Sequence, residues 1–360
     1  MNRSDLTGAA TKLIRALLLL LILYVTAATS PAMGQNGGYA GAYTRLGFGP
    51  RGMAMGNAMT AVTSEGSYGH YNAALAARPI QQVDVDLGTS AMAFDRSLHH
   101  LNAAFPLTGD ANINIALLNA RVDNIDGRSV SGYDTGTLST QEIQLKTYIG
   151  VKYTSWLSAG AGIGLHYADL HNELASVTGA GFDLGLLIEP TNNLNIGLAV
   201  KDLLASYQLD AAPIYGGGNS QQTTDNFPRR FKAGISYHPS FVNQLLISGD
   251  VEVRKQTSEY YSYETLSGNG SPAVIRNTET ANTSTIQARM GVRYRIHEFV
   301  SLRTGYQIRD LDDTGNSNHP SAGFSVKIPV QFGSPWIDYA FVRHPSELSS
   351  MHVFAIRMSL

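Results

Sequence analysis

Beyond residue 80 the chain alternates apolar and polar residues again and again. Val83, Val85 and Leu87 face Asp84, Asp86 and Gly88; Ile113, Ile115 and Leu117 face Asn112, Asn114 and Ala116. Ile143, Leu145, Thr147, Ile149, Val151 and Tyr153 alternate with Glu142, Gln144, Lys146, Tyr148, Gly150 and Lys152. Ile286, Ala288, Met290, Val292, Tyr294 and Ile296 alternate with Gln287, Arg289, Gly291, Arg293 and Arg295. A period of two marks β-strands, and runs of about 9 to 13 residues are long enough to cross a bilayer. The pattern predicts fourteen strands, at 82–94, 98–107, 111–123, 141–153, 157–170, 179–189, 194–203, 229–238, 244–256, 284–296, 300–309, 320–330, 335–343 and 350–360.

The connections divide into two kinds. Those after the second, fourth, sixth, eighth, tenth and twelfth strands are short, whereas 124–140, 204–228, 257–283 and 310–319 read as long polar loops. Short turns at one end and long loops at the other are the habit of outer-membrane barrels, with the turns in the periplasm. Phe105, Tyr153, Trp156, Tyr237, Phe241, Phe299, Phe332 and Trp336 lie at or beside the short turns and fit an aromatic girdle there. A soluble sandwich also alternates, but its second face has to be dry. Here that face carries Glu142, Lys146, Lys152, Asp250, Glu252, Arg254, Arg289, Arg293, Arg295 and Arg303, too many charges for a dry core. The expected fold class is therefore all-β, a transmembrane outer-membrane β-barrel of about 14 antiparallel strands with a wet or plugged lumen.

Composition narrows the chemistry. Charged residues make up 15% of the 360, there is no cysteine, and the net charge is −2. That excludes disulfides, thiolate metal sites and a cysteine nucleophile, and it supplies no field to hold nucleic acid. His99 and His100 are neighbours on a strand and point to opposite faces. No HExxH or GxSxG occurs, so no metal, cofactor or catalytic residue is expected and the chain reads as non-enzymatic. At the N-terminus, Lys12 and Arg15 precede an apolar run from Ala16 to Val25, with small residues through Gly34. Residues 1–34 read as a cleaved secretory signal peptide, which directs the chain to the outer membrane of a Gram-negative-type bacterium.

Residues 35–80 do not alternate. Within LGFGPRGMAMGNAMTAV, Gly47, Gly49 and Gly52 match the spacing of a GxGxxG dinucleotide loop. The motif needs an apolar strand before it, a helix after it and an acid about 20 residues on. GGYAGAYTR is a poor strand, Pro50 falls in the turn and position 72 is asparagine. Close packing is the better reading: glycines admit backbone against backbone, and Met53, Met55 and Met59 offer pliable apolar surface. Asn72 is placed to cap a short helix through Ala73–Ala76. The chain thus divides into a signal peptide (1–34), an N-terminal hatch in the lumen (35–80) and the barrel (81–360). Gly47, Gly49, Arg51, Met53, Met55, Met59 and Asn72 form a candidate ligand-lining set. Arg289, Arg293, Arg295 and Arg303 form a lumen-facing basic set, which either pairs with Asp250 and Glu252 or lines a surface for an anionic ligand.

The run YAGAYTRLGFGPRGMAMGNAMTAV followed by YNAALA resembles the N-terminal signature of the PorV/PorQ proteins, relatives of the FadL fatty-acid transporters. SAGFSVKIPVQFGSPWIDYAFVRHPSELSSMHVFAIRMSL, with Asp338, Tyr339, Ala340 and Phe341 at its centre, resembles their C-terminus, and LNIGLAVKDLLASY resembles a recurring strand-plus-turn element. The family usually has asparagine-proline-alanine where this chain has Asn72, Ala73 and Ala74; alanine is accepted at that helix position. The resemblance implies a fourteen-stranded barrel with an N-terminal hatch. For function it implies protein secretion or surface attachment of the type IX kind, with exported cargo or secretion-machinery subunits as partners besides outer-membrane lipid. The alternative it leaves open is FadL-like uptake of hydrophobic small molecules, with a hydrophobic ligand beside the methionines.

Overall fold

The computed structural model describes residues 40–107, 109–171, 174–210, 222–266, 273–308, 311, 318–330, 334–343 and 350–360. The expected signal peptide and Phe332 lie outside the described residues. The strands are β1 Asp84–Met92, β2 Arg96–Pro106, β3 Ala111–Arg128, β4 Asp134–Lys152, β5 Leu157–Asp169, β6 Val177–Thr191 and β7 Leu194–Leu203. They continue with β8 Ser206–Asp210, β9 Gln222–Asn226, β10 Arg229–Tyr237, β11 Leu245–Leu266, β12 Ala273–His297, β13 Val300–Ile308, β14 Asn318–Lys327, β15 Trp336–Arg343 and β16 Ser350–Ser359.

Fourteen of these close into one antiparallel barrel, each paired with its neighbour in sequence except where β7 pairs directly with β10. Closure is made by β1 against β16, in register from Asp84↔Ser359 to Ala91↔His352. Each of the fourteen runs predicted by alternation corresponds to one barrel strand. The long connections differ from expectation. The region 124–140 is largely strand, because β3 and β4 run on to Arg128 and Asp134, and 257–283 is occupied by the extended ends of β11 and β12. The region 204–228 holds the two-stranded hairpin β8–β9. Closure leaves no free edge in the barrel, so every wall strand finds two hydrogen-bonding partners.

The alternation sorts side chains between two media. Leu145, Ile149, Ile163, Leu165, Leu184, Ile235, Ile247, Met290, Ile337 and Phe354 point outward and are 39–63% exposed. An apolar belt of this extent on a closed barrel is stable against lipid, not water. The opposite face carries Asp86, His100, Asn114, Lys146, Asp183, Arg230, Glu252, Arg289 and Asp338, all buried inside the lumen.

Residues 46–78 fill that lumen. They contain a one-and-a-half-turn helix, Pro50–Ala54, and a 3-10 helix, Ala73–Ala77, joined by turns. Pro50 sits in the helix's first turn, where its missing N–H costs nothing. Asn72 Oδ1 accepts from the Ala74 N–H at 3.0 Å and so caps the second. Phe48, Met53, Met55, Met59, Tyr68 and Leu75 join Leu98, Leu118, Tyr148 and Val353 of the wall in one buried cluster.

The segment reaches the wall at glycines. A methyl at Gly150 on β4, Gly160 on β5 or Gly185 on β6 would overlap Ala73–Ala77 or the Asn72 side chain. At Gly197 on β7 and Gly234 on β10 it would meet Thr60; at Gly291 on β12 and Gly305 on β13 it would meet Met55 or Gly56; at Gly323 on β14 it would meet Ala54. The luminal segment therefore lies against the wall at eight strands, with its backbone in contact at six of them.

This contact is testable. Gly305→Ala places a Cβ against the backbone of Met55 and Gly56, and overpacking of this kind costs about 1–3 kcal/mol. Gly249→Ala, whose nearest atoms would lie at 3.8 and 3.9 Å, should change stability by less than about 0.5 kcal/mol. Unfolding of the two purified barrels, followed by heat-modifiable gel mobility, separates them; equal stability would rule out the close contact.

Candidate functional site

The polar wall and the luminal segment are tied by charge. Arg51, in the first helix, is 3% exposed. Its Nη2 donates to Asp86 Oδ2 of β1 at 2.8 Å, and its Nε lies 3.4 Å from Asp338 Oδ2 of β15. It also donates to the Glu65 carbonyl and the Tyr68 hydroxyl. The guanidinium sits 4.7 Å from the Tyr68 ring centre. Two buried carboxylates from strands near the closure point thus converge on one planar cation, a match that a fork of five N–H donors makes well.

A second clamp runs the other way. Glu65 accepts from Arg303 of β13 at 2.6 and 3.0 Å and lies 3.1 Å from Arg293 Nε of β12. Burial alone would raise the Glu65 carboxyl, but Arg303 and Arg293 beside it hold it down at about 2. A third is made by Thr60, whose N–H and Oγ1 donate to Asp250 Oδ2 of β11 at 3.0 and 2.6 Å. Asn72 adds bonds from Nδ2 to the Thr60 carbonyl at 2.8 Å and the Leu186 carbonyl of β6 at 3.1 Å.

A fourth cluster belongs to the wall itself. Lys146 of β4 lies 2.8 Å from Asp183 of β6 and 2.7 Å from Asp202 of β7, and Arg230 Nε of β10 donates to Asp202 at 2.8 Å. Strict alternation cannot send both Lys201 and Asp202 inward. The β6–β7 register shifts between Phe182 and Leu184, where three residues of β6 oppose four of β7, and Asp202 takes φ +58°. The bulge turns both neighbours into the lumen, each 2% exposed. His70 stacks on Phe48 with ring centres 4.6 Å apart, and burial together with Lys201 and Lys146 keeps its imidazole well below the usual range, hence neutral.

The sequence-derived candidates fall out as follows. Gly47 and Gly49 form the turn into the first helix with φ +125° and +70°, positions that favour glycine, and no phosphate-binding βαβ unit surrounds them. Arg51 is the principal anchor. Met53, Met55 and Met59 are at most 1% exposed and line neither of two small cavities, of about 50 Å3 beside Leu75, Arg78 and Glu189 and about 20 Å3 beside Asn57 and Arg289. In this structure they pack in the buried luminal cluster. Arg289 pairs with Glu252 at 2.8 Å, while Arg293 and Arg303 pair with Glu65 of the luminal segment, not with Asp250. Arg295 differs from the other three: it keeps the register of Arg293 but is exposed, since it lies two residues from the turn-end limit of β12. Missed by the sequence reading were Glu65, Asp86, Asp183, Lys201, Asp202 and Arg230. Only their polarity at inward positions of alternating strands could have flagged Asp86, Asp183 and Arg230.

The closed fourteen-stranded antiparallel barrel is similar in fold to several solved barrels. The Pseudomonas putida toluene transporter TodX superposes with a TM-score of 0.57 at 14% identity, over 86% of this chain and 96% of TodX. The CymD monoaromatic hydrocarbon channel gives 0.57 at 15%, over 88% and 98%. A Pseudomonas aeruginosa FadL homologue gives 0.54 at 13%, over 86% and 97%. Likeness at this identity speaks to the fold. No protein-family model and no curated protein matches the chain.

Two measurements test the anchors. Arg51→Gln removes the cation that Asp86 and Asp338 share, leaving Arg357 at 3.6 Å from Asp338, and should cost about 3–5 kcal/mol, with Asp338→Asn costing less and the double variant less than the sum. Additive costs in denaturant unfolding would separate the two residues. For Glu65, the folded carboxyl lies near 2 against an ordinary 4.5, so its contribution is full above pH 4.5 and disappears as pH falls towards 2. The stability gap between the wild-type barrel and Glu65→Gln, on the order of 3 kcal/mol, should close across that window. A gap constant from pH 6 to 2 is the contrary result.

Proposed function

We propose that the chain is an outer-membrane transporter for hydrophobic small molecules, with residues 46–78 acting as a hatch and no catalytic step. The observation that carries this reading is the whole-length match of the barrel to a toluene transporter and a monoaromatic hydrocarbon channel. The lipid-facing belt supports a place in the outer membrane, with the short turns towards the periplasm and the long strand pairs outside.

The secretion or attachment role implied by the PorV/PorQ resemblance is the second reading. It is favoured by one feature, the lengths of β11 and β12, 22 and 25 residues, where about 9–11 span a bilayer. The surplus projects as a platform suited to holding a protein. Transport is preferred because the match extends over the full barrel, whereas long strands beyond the membrane are compatible with either role.

Uptake of radiolabelled toluene and of a long-chain fatty acid by cells with and without the gene distinguishes the two. The transport reading predicts a severalfold fall on deletion, restored by the wild-type chain. Unchanged uptake together with exported proteins retained in the periplasm would overturn it in favour of secretion.

A further inference from the structure

The basic part of the lumen holds more positive charge than its carboxylates balance. Between the luminal segment and strands β7, β10, β11 and β12 lies a cavity of about 20 Å3, bordered by Arg45, Lys201, Arg230, Lys232, Arg289 and Glu252. A space of that size holds a single species near the size of a water molecule. Within this wall Lys146, Lys201, Arg230, Lys232 and Arg289 are all buried, as are Asp183, Asp202, Asp250 and Glu252.

The carboxylates are already shared. Asp183 lies 2.8 Å from Lys146 and 3.7 Å from Lys201; Asp202 serves Lys146 and Arg230. Asp250 is committed to Thr60 and lies 3.9 Å from Lys232, while Glu252 serves Arg289 at 2.8 Å. The five fully buried cations outnumber the four buried carboxylates, and Arg45 on the cavity border and Arg254, 3.7 Å from Glu252, are further cations in the same region. An uncompensated buried charge is among the most expensive features a fold can carry.

The donors to meet a counter-ion are present at the cavity. Arg289 spends its Nη2 on Glu252 Oε2 at 2.8 Å and Gln287 Oε1 at 2.7 Å. Its Nε and Nη1 are buried and have no hydrogen-bond acceptor among the described residues, and the residue borders the cavity. Lys232 stands 5.4 Å from the Tyr71 ring centre on the same border. We propose that this cavity binds one small monovalent anion of halide size, chloride in a bacterial setting, held by the Nε–H and Nη1–H groups of Arg289 and the ammonium of Lys232. The volume sets the stoichiometry at one and excludes a bulky organic anion. The site stands apart from any hydrophobic cargo, since charged side chains dominate its border and none of Met53, Met55 and Met59 lines it.

The test uses the full chain purified in detergent. Chloride-35 NMR should show excess line width over a detergent blank, removed by bromide and left unchanged by gluconate, which has the same charge and far greater bulk. Arg289→Gln, folded as judged by heat-modifiable mobility, should lose at least most of that excess. The wild-type barrel should also melt at higher temperature in sodium chloride than in sodium gluconate of equal ionic strength, a readout that needs no variant. No excess width, an excess untouched by Arg289→Gln, or equal melting in the two salts overturns the proposal; the last would mean that a lysine sheds its proton and balances the charge without an ion.

Discussion

A fourteen-stranded barrel encloses more space than its own inward side chains fill, and the backbone of residues 46–78 pressed against wall glycines resolves that mismatch. Side chains alone could fill a narrower barrel. Here a second layer of chain is needed, and a second layer fits only where the wall offers no Cβ. The glycines lie on β4, β5, β6, β7, β10, β12, β13 and β14, and the luminal chain visits them in the reverse order of the wall, from Ala54 at β14 to Ala77 at β4. Gly69 and Asn114 bring it to β3, and Arg51 and Tyr68 to β1. The contact thus runs round most of the circumference, which makes the lumen a packed interior and not a pore wall.

Charge then fixes the rotation and depth of this inner layer. Close packing against glycine is insensitive to register, since one peptide group resembles the next. Arg51 to Asp86 and Asp338, Glu65 to Arg293 and Arg303, and Thr60 to Asp250 are not interchangeable. The signs alternate along the segment, a cation followed by an anion 14 residues later, so a shift would set like charge against like charge. Each mismatched pair would be buried and costly. The two ends of the chain that carry the family-like motifs meet here, Arg51 from the N-terminal run and Asp338 from the C-terminal one.

How far the sequence could be read follows from the same physics. Period-two alternation records a strand held between two different media, and where β1–β7 and β10–β16 run between lipid and lumen the pattern found each of them. Beyond the membrane both faces of β3, β4, β11 and β12 meet water, the two media become one, and the pattern fades; residues 124–140 and 257–283 therefore read as loops although much of their backbone is paired. Bulges defeat the reading in a different way. At Lys201–Asp202 an inserted residue sends both neighbours inward. The glycine-rich run disclosed close packing, but not what it packs against, because Asp86 and Asp338 lie 35 and 287 residues from Arg51 and nothing local joins them.

The methionines bear on transport most directly. On the transport reading, a hydrophobe passing through the lumen needs apolar surface, and Met53, Met55 and Met59 supply it only once the segment has moved, since in this structure they are sealed. The anchors differ in what they would resist. Asn72 and the Ala73–Ala77 helix are held to β4, β5 and β6 by a neutral hydrogen bond and by glycine contacts, whereas Thr60 is tied to β11 through the Asp250 carboxylate, and Arg51 and Glu65 are tied to the wall by full charges. Hydrogen bonds between neutral groups are about half as strong as charge-assisted ones. The weaker seam is thus the β4–β6 side, where neutral contacts alone hold the helix.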